Sequence, residues 1–160
     1  MSTVGPKAVR PRFPEGYGIS DDPEGLLDWG WAEERLFTAR NYWICTTRSD
    51  GSPHAAPVWG LWNEGGVVFG TAPESRKARN LERDSRVLVH LESGDDVVIV
   101  EGRADPAELD ERIAEAYAEK YDFRPDPTGG SEGWYRVVPR VAYAWLERDY
   151  PGTATRFEFG

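Results

Sequence analysis

The sequence has very few of the side chains that build disulfides or zinc sites. Its 160 residues include one cysteine, Cys45, and two histidines, His54 and His90. A single cysteine cannot form an internal disulfide, and these three side chains do not make a recognisable zinc ligand set. The composition therefore excludes a disulfide scaffold, and we predict no metal site.

Long apolar runs and surplus positive charge are also missing. The longest uncharged stretches, such as 55–63 and 97–100, are far shorter than the roughly 20 residues of a membrane-spanning helix. The N-terminal residues lack the apolar segment of a secretory signal. The net charge of −9 does not supply the excess of Lys and Arg on which general nucleic-acid binders depend. We therefore expect a cytoplasmic protein that binds neither membrane nor nucleic acid.

The sequence is instead rich in short β-type segments joined by turns. Residues 1–25 hold many prolines and glycines with little periodicity and predict an extended N-terminal arm, which leaves 26–160 as one domain. From Tyr42 onward, short aromatic and β-branched segments alternate with turn signals such as Asp50-Gly51. Tight links without repeated βαβ units favour a mainly β fold, a split antiparallel barrel of about seven strands with about three short helices.

Three segments predict the helices. The first covers 31–40, and the second is SRKARNLERD, which begins after a capping Ser75. The third is DPAELDERIAEAYAEKY, where we expect Asp105 at the cap, Pro106 at the first helical position and Glu108 completing a capping box.

The start of the second helix has the composition of an anion site. Ser75, Arg76, Lys77, Arg79 and Asn80 fall within six residues. Free backbone N–H groups, the positive end of the helix dipole, a hydroxyl and several cations together suit a phosphate group. The alternative is a solvated basic turn whose Arg and Lys side chains pair with nearby surface acids.

The strand segment HAAPVWGLW, which precedes this helix, contains residues that interrupt regular pairing. Pro57 and Gly60 predict a bulge or a sheet edge, where a flat ligand or another backbone can approach. Trp59 and Trp62 flank this point and suit either a planar ligand, an interface or core packing. His54 has no recognisable nucleophile beside it, so we assign it no catalytic role.

Taken in order, these motifs resemble the split-barrel superfamily that includes pyridoxamine 5'-phosphate oxidase and the deazaflavin-dependent reductases. The resemblance covers about residues 33–159 and rests on the succession PHAAPVWGLW, GGVVFGT, SRKARNL, RVLVHLE, VVIVEGRA and AWLERDYPGTATRFEF. It implies an oxidoreductase that transfers a hydride between a bound cofactor and a small planar organic substrate. The segment SRKARNL resembles the corresponding segment of members that bind coenzyme F420, so the resemblance implies F420 as the first choice of cofactor and flavin mononucleotide (FMN), whose enzymes have a similar serine and lysine, as the second. Because the chain stops at Gly160, without the C-terminal segment of the pyridoxamine 5'-phosphate oxidases, we do not expect vitamin B6 oxidation.

The resemblance also implies where the cofactor is bound. Ser75, Lys77 and Arg79 would hold its phosphate. The full predicted set is Pro57, Val58, Trp59, Phe69, Gly70, Thr71, Ser75, Lys77, Arg79, Asn80 and Trp145. Family members are usually homodimers with the cofactor in the interface, which would bring Trp145 to the partner's site. No catalytic side chain is expected, because the cofactor carries the electron chemistry.

A second hypothesis is a non-catalytic protein that binds or sequesters a flavin or haem in the same barrel. A haem would need an axial ligand from a short set of candidates, namely His54, His90, Cys45 and Met1.

Overall fold

The computed structural model of the chain describes residues 5–160, which form one nine-stranded antiparallel sheet with helices on it. The strands are β1 Lys7–Val9, β2 Tyr42–Thr47, β3 Pro53–Val58, β4 Leu61–Asn63, β5 Gly66–Thr71, β6 Arg86–His90, β7 Asp96–Ala107, β8 Gly133–Leu146 and β9 Thr155–Glu158. The helices are α1 Trp29–Thr38, α2 Arg76–Arg83, α3 Glu111–Tyr121 and α4 Tyr150–Thr153, with a 3-10 turn at Glu147–Asp149. The mainly β split-barrel class is confirmed.

The long strand β8 is where the sheet divides. It pairs with β7 along almost its whole length, with β5 through residues 133–137 and with β9 through residues 141–144. The main path of the sheet runs β1-β9-β8-β7-β6-β2-β3, while β4 pairs with β5 off this path. The strand β3 therefore ends the path and has one paired side within the described residues.

The sheet has two strands more than the seven inferred from the sequence. The first is β1 in the N-terminal arm, which pairs with β9, while residues 1–4 of the arm lie outside the described residues. The second is β4, because the predicted strand HAAPVWGLW is broken after Val58. At the break, a Cβ on Gly60 would lie 2.9 Å from the carbonyl oxygen of Val68 and 3.2 Å from the Tyr42 ring, so only glycine fits there.

The predicted start of the third helix is wrong. Asp105 and Pro106 continue β7, where they pair with β8, and Glu108 lies in the connection that follows. The helix α3 begins five residues later than expected from an Asp105 cap, with Asp110 as its N-cap and the Asp110 carboxylate accepting from the backbone N–H of Ile113 at 2.8 Å. Pairing of Asp105 and Pro106 with β8 therefore overrides the local capping pattern.

Two apolar cores hold these elements together. The main core lies inside the barrel and includes the fully buried side chains of Tyr42, Phe69 and Phe157. A smaller core lies between α3 and the β4-β5 hairpin, where Tyr117 and Tyr121 pack on Leu61 and Val68. The first core fixes α2 against β2 and β3, and the second fixes α3 over the break after β3.

Candidate functional site

The N-terminus of α2 is a capped turn that directly follows β5. Ser75 is the N-cap, as predicted, and its hydroxyl accepts from the backbone N–H of Ala78 at 3.2 Å. The hydroxyl of buried Thr71, at the end of β5, lies 3.1 Å from the hydroxyl of Ser75. The sequence-predicted Thr71 and Ser75 are thus brought together beside the positive end of the helix dipole.

The cations of this turn have no acidic partners. Within residues 5–160, none of Arg76, Lys77 and Arg79 forms an ion pair or a side-chain hydrogen bond. Asp84, the acid that closes the helix, is instead bound by Arg86 at 2.7 Å. The alternative of a turn whose charges are neutralised by neighbouring acids therefore has no support in the geometry, and the turn is a local positive region in a chain of net charge −9.

His54, which the sequence analysis did not assign to the site, joins it from β3. His54 on β3 faces the same side as its cross-strand partner Thr46, the side on which α2 packs. Burial lowers the pKa of His54, and the positive charges of Arg48, Lys77 and Arg76 lower it further. Alternation along β3 could have indicated the face of His54, but only the fold shows that α2 covers it.

Asn80 lies beneath the helix rather than on its surface. Its side chain is fully buried, and its amide nitrogen donates to the hydroxyl of Thr46 at 3.0 Å, which fastens α2 to β2. The amide oxygen of Asn80 and Nδ1 of His54 are both buried and have no hydrogen-bond partner in the described part of the chain. Buried polar atoms are nearly always partnered, so this pair marks the region as unusual.

The break after β3 forms the second part of the candidate site. Trp59 is 40% exposed and stacks on Tyr121 with ring centroids 4.5 Å apart, and Arg40 lies over both rings. A groove of about 270 Å³ opens here and is lined by Asn41, Trp43, Pro57, Val58, Trp59 and Glu92. Three predicted residues, Pro57, Val58 and Trp59, therefore share one accessible surface at the sheet edge.

The remaining predicted residues have little surface open to a ligand. The Phe69 side chain is fully buried against Tyr135, and Gly70 is covered by Trp134, whose ring atoms would lie 2.8 Å from an added Cβ. Any contribution of these two residues would come from the backbone. Trp145 lies near the far end of β8, opposite Val97, and packs edge-on against Tyr150.

This arrangement can bind an anion at one end of β3 and a flat ring at the other. The six residues from His54 to Trp59 span roughly 16 Å, five steps at the usual rise of about 3.3 Å per residue. The unpaired side of β3 offers backbone donors and acceptors along that length, as edge strands do.

The comparison with family models assigns the chain to one family. The family model described as pyridoxamine 5'-phosphate oxidase matches residues 32–145, so the chain belongs to this family. The match covers both α2 and the strand edge. No curated protein matches the chain significantly.

Solved structures with the same fold have varied descriptions. A conserved hypothetical protein from Mycobacterium tuberculosis is 25% identical, with a TM-score of 0.68, over 79% of this chain and 89% of its own. An F420 reductase is 19% identical with a TM-score of 0.54, over 76% and 98%. A haem-binding protein from Mycobacterium smegmatis is 18% identical with a TM-score of 0.56, over 72% and 53%. The last two similarities establish the fold alone.

The described residues contain neither a cluster of metal ligands nor a helix suited to cross a membrane. Among residues 5–160, no three or more His, Cys, Asp or Glu side chains are placed to hold a metal ion together. In the same range, no helix combines the length and apolar character needed to cross a bilayer.

Proposed function

We propose that this protein is an oxidoreductase that binds coenzyme F420, or FMN as the second choice, and transfers a hydride to or from a small planar substrate. The observation that supports this most is the group of unpaired cations at the capped start of α2. It lies at one end of an accessible strand edge whose other end carries Trp59. Family membership and the F420 reductase with the same fold agree with this proposal.

The residues at the start of α2 fit the phosphate of such a cofactor. Lys77 and Arg79 would contribute charge-assisted hydrogen bonds, each about 1.5–3 kcal/mol. Ser75 and Thr71 would contribute hydroxyls, and the helix N-terminus would contribute its dipole. Cations without protein partners and a buried, unpartnered Asn80 oxygen are the features expected where a polar ligand completes the hydrogen bonding.

The groove beside Trp59 fits the ring of the cofactor. Pro57 and Val58 provide an apolar wall, and backbone groups on the open side of β3 can pair with the polar edge of a flavin or deazaflavin ring. The stack of Trp59 on Tyr121 holds the indole in one orientation. A rigid aromatic wall of this kind orders a flat ligand with little loss of side-chain freedom.

The chain's contribution to the reaction is binding and orientation. When bound, the cofactor supplies the hydride chemistry. The residues around α2 fix its phosphate, and the β3 edge fixes the plane of its ring. The apolar wall excludes water from one ring face, so that a substrate stacks on the other face. No side chain of the described residues is required to act as a nucleophile.

We also propose that the protein is a homodimer with the cofactor near the interface. The outer face of β2, β6, β7 and β8 carries half-buried apolar residues, namely Trp43, Cys45, Leu88, Ile99 and Tyr143, which are neighbours through the strand registers. His90 and Glu101 lie among these residues, and a largely apolar face of this kind commonly packs against another protein surface. A second copy is the simplest partner, because a two-fold axis matches the same face with itself.

Haem binding is the second candidate function, supported by the haem-binding protein with the same fold. His54 is half-buried and would be the axial ligand, whereas His90 has its Nδ1 2.8 Å from the Leu91 carbonyl oxygen and its ring stacked on Trp43. Cys45 is half-buried on the outer sheet face, and Met1 lies outside the described residues.

The test is a set of titrations of the purified protein with F420, FMN and haem. Quenching or shifting of ligand fluorescence reports the first two, and an intense Soret band reports haem. Saturable binding of F420 or FMN supports the proposal. Binding of haem alone would favour the second candidate, and binding of none of the three would contradict both.

A further inference from the structure

His54 lies beside the proposed anion site and carries a buried ring nitrogen without a partner in the described residues. It lies on β3 beneath the start of α2, and the residue as a whole is half-buried, with Nδ1 as the buried nitrogen. The charged groups that face it are Arg48 from the end of β2 and Arg76 and Lys77 from α2. All three are positive, and no carboxylate of the described residues opposes them at this position. An imidazole in that setting favours its neutral form until an anion arrives.

The buried side of His54 carries a complementary unsatisfied group. Thr46 is the cross-strand partner of His54 and accepts the hydrogen bond from Asn80, so both side chains lie around it. The Asn80 oxygen needs a donor, and Nδ1 of His54 is a donor only when it carries a proton. A doubly protonated ring would direct one N–H inward to this polar cluster and the other outward to a ligand.

We propose that His54 is a further ligand-binding residue of the anion site, and that it takes up a proton from solvent when a phosphate ester binds at the start of α2 against Lys77 and Arg79. This inference rests on the proposed cofactor site. No covalent bond forms or breaks. The imidazolium donates its Nε2–H to a phosphate oxygen, and the negative charge of the phosphate offsets the three cations that otherwise oppose protonation.

Proton uptake makes ligand affinity depend on pH in a defined direction. Because the bound state holds an additional proton, binding tightens as pH falls through the range in which His54 titrates. A rise of one unit in the pKa of His54 corresponds to about a tenfold gain in affinity between the two pH limits. A site built from Lys and Arg alone would not show this dependence on the protein side.

The chain offers a clean experiment, because it has only two histidines. Proton NMR would follow the two imidazole Cε1–H signals from pH 5 to 8.5, free and with saturating FMN or F420. A His90→Gln variant assigns the remaining signal to His54. Because the His90 ring stacks on Trp43, which lines the groove proposed for the cofactor ring, the comparison is made on the assigned His54 signal, with and without ligand.

We expect the titration midpoint of His54 to rise by about one unit or more on ligand binding. We also expect His54→Gln to keep the fold by circular dichroism and to lose the extra affinity at pH 6, about tenfold. If FMN or F420 binds and the midpoint of His54 does not move, this inference is wrong and the cofactor proposal stands. If neither ligand binds, both fail.

Discussion

Lys77 and Lys120 are both half-buried lysines beside β3, but they differ in the number of partners that their ammonium groups have. Lys120, near the end of α3, donates to the hydroxyl of Tyr42 at 3.0 Å and to the carbonyl of Gly60 at 2.9 Å. Its ammonium group also lies over the rings of Tyr42 and Tyr121. Lys77 has no side-chain hydrogen bond or ion pair within residues 5–160.

The difference separates charge that stabilises the fold from charge that is available to a ligand. Lys120 closes the break after β3 and satisfies a buried carbonyl, at the cost of partial dehydration. Its pKa is lowered to about 8, chiefly by burial and then by the charge of Arg40. Lys77 makes no such contribution to the fold, although it lies in a chain with many acids. We therefore expect substitutions at Lys77 to affect binding and substitutions at Lys120 to affect stability.

The largest effect is expected from the double variant Lys77→Ala with Arg79→Ala. It should weaken binding of F420 or FMN by about 3–5 kcal/mol, because two charge-assisted contacts to phosphate are lost. Fluorescence titration measures this effect. Arg103→Ala is the matched control, since Arg103 pairs with Asp105 on the exposed sheet surface. Equal affinity in the double variant and the control would remove Lys77 and Arg79 from the site.

The reverse result is expected for Lys120→Met, which keeps the length of the side chain and removes its charge. Loss of the hydrogen bonds to Tyr42 and Gly60 should lower the free energy of unfolding by about 2 kcal/mol near pH 7. Cofactor affinity should change by less than about twofold, on the scale of 0.4 kcal/mol. Urea denaturation and the same titration measure the two quantities. A large loss of affinity in a folded Lys120→Met protein would break the distinction between the two lysines.

The pH dependence of the free energy of unfolding tests the structural role of Lys120 in a second way. The pKa of Lys120 in the folded chain, about 8, lies below its ordinary value of 10.5. Between these values the unfolded chain holds more protons, so the free energy of unfolding should rise with pH. Partial exposure limits the rise to about 1 kcal/mol between pH 7.5 and 9.5. The difference in unfolding free energy between wild type and Lys120→Met should widen as pH increases, because only the wild type gains stability from this group; a constant difference would contradict this assignment.

The smallest effect is expected at an exposed cation that already has partners. Arg124 pairs with Glu111 and Glu115 on the surface of α3. Surface ion pairs contribute roughly 0–1 kcal/mol, so Arg124→Ala should lower the unfolding free energy by less than about 1 kcal/mol. It should leave cofactor affinity unchanged in the same titration. A large loss of affinity would show that overall charge, rather than the location of Lys77, controls binding.

Much of the fold follows from local signals in the sequence. The Ser75 cap and the strand edge at Pro57 were predicted from residue types, and both are found. The start of α3 was not, because the capping pattern from Asp105 to Glu108 competes with pairing to β8. That pairing joins segments about thirty residues apart, and no local pattern records it.

The candidate site was partly predictable for the same reason. Lys77 and Arg79 stand out as a cluster along the chain. His54 and Arg48 do not, because they join the cluster only when α2 packs against β2 and β3. Asn80 was predicted as a cofactor residue from the motif, and the structure places it beneath the helix, bonded to Thr46. Helical spacing alone did not separate its buried face from its exposed one.

A crystal structure of the protein with F420 or FMN tests the central claim most directly. We predict that the cofactor phosphate lies within hydrogen-bond distance of the Ser75 hydroxyl and the Lys77 ammonium group, with the ring along the edge of β3 toward Trp59. A phosphate bound elsewhere, with Lys77 and Arg79 making no contact to it, would contradict the assignment of the phosphate site to the start of α2.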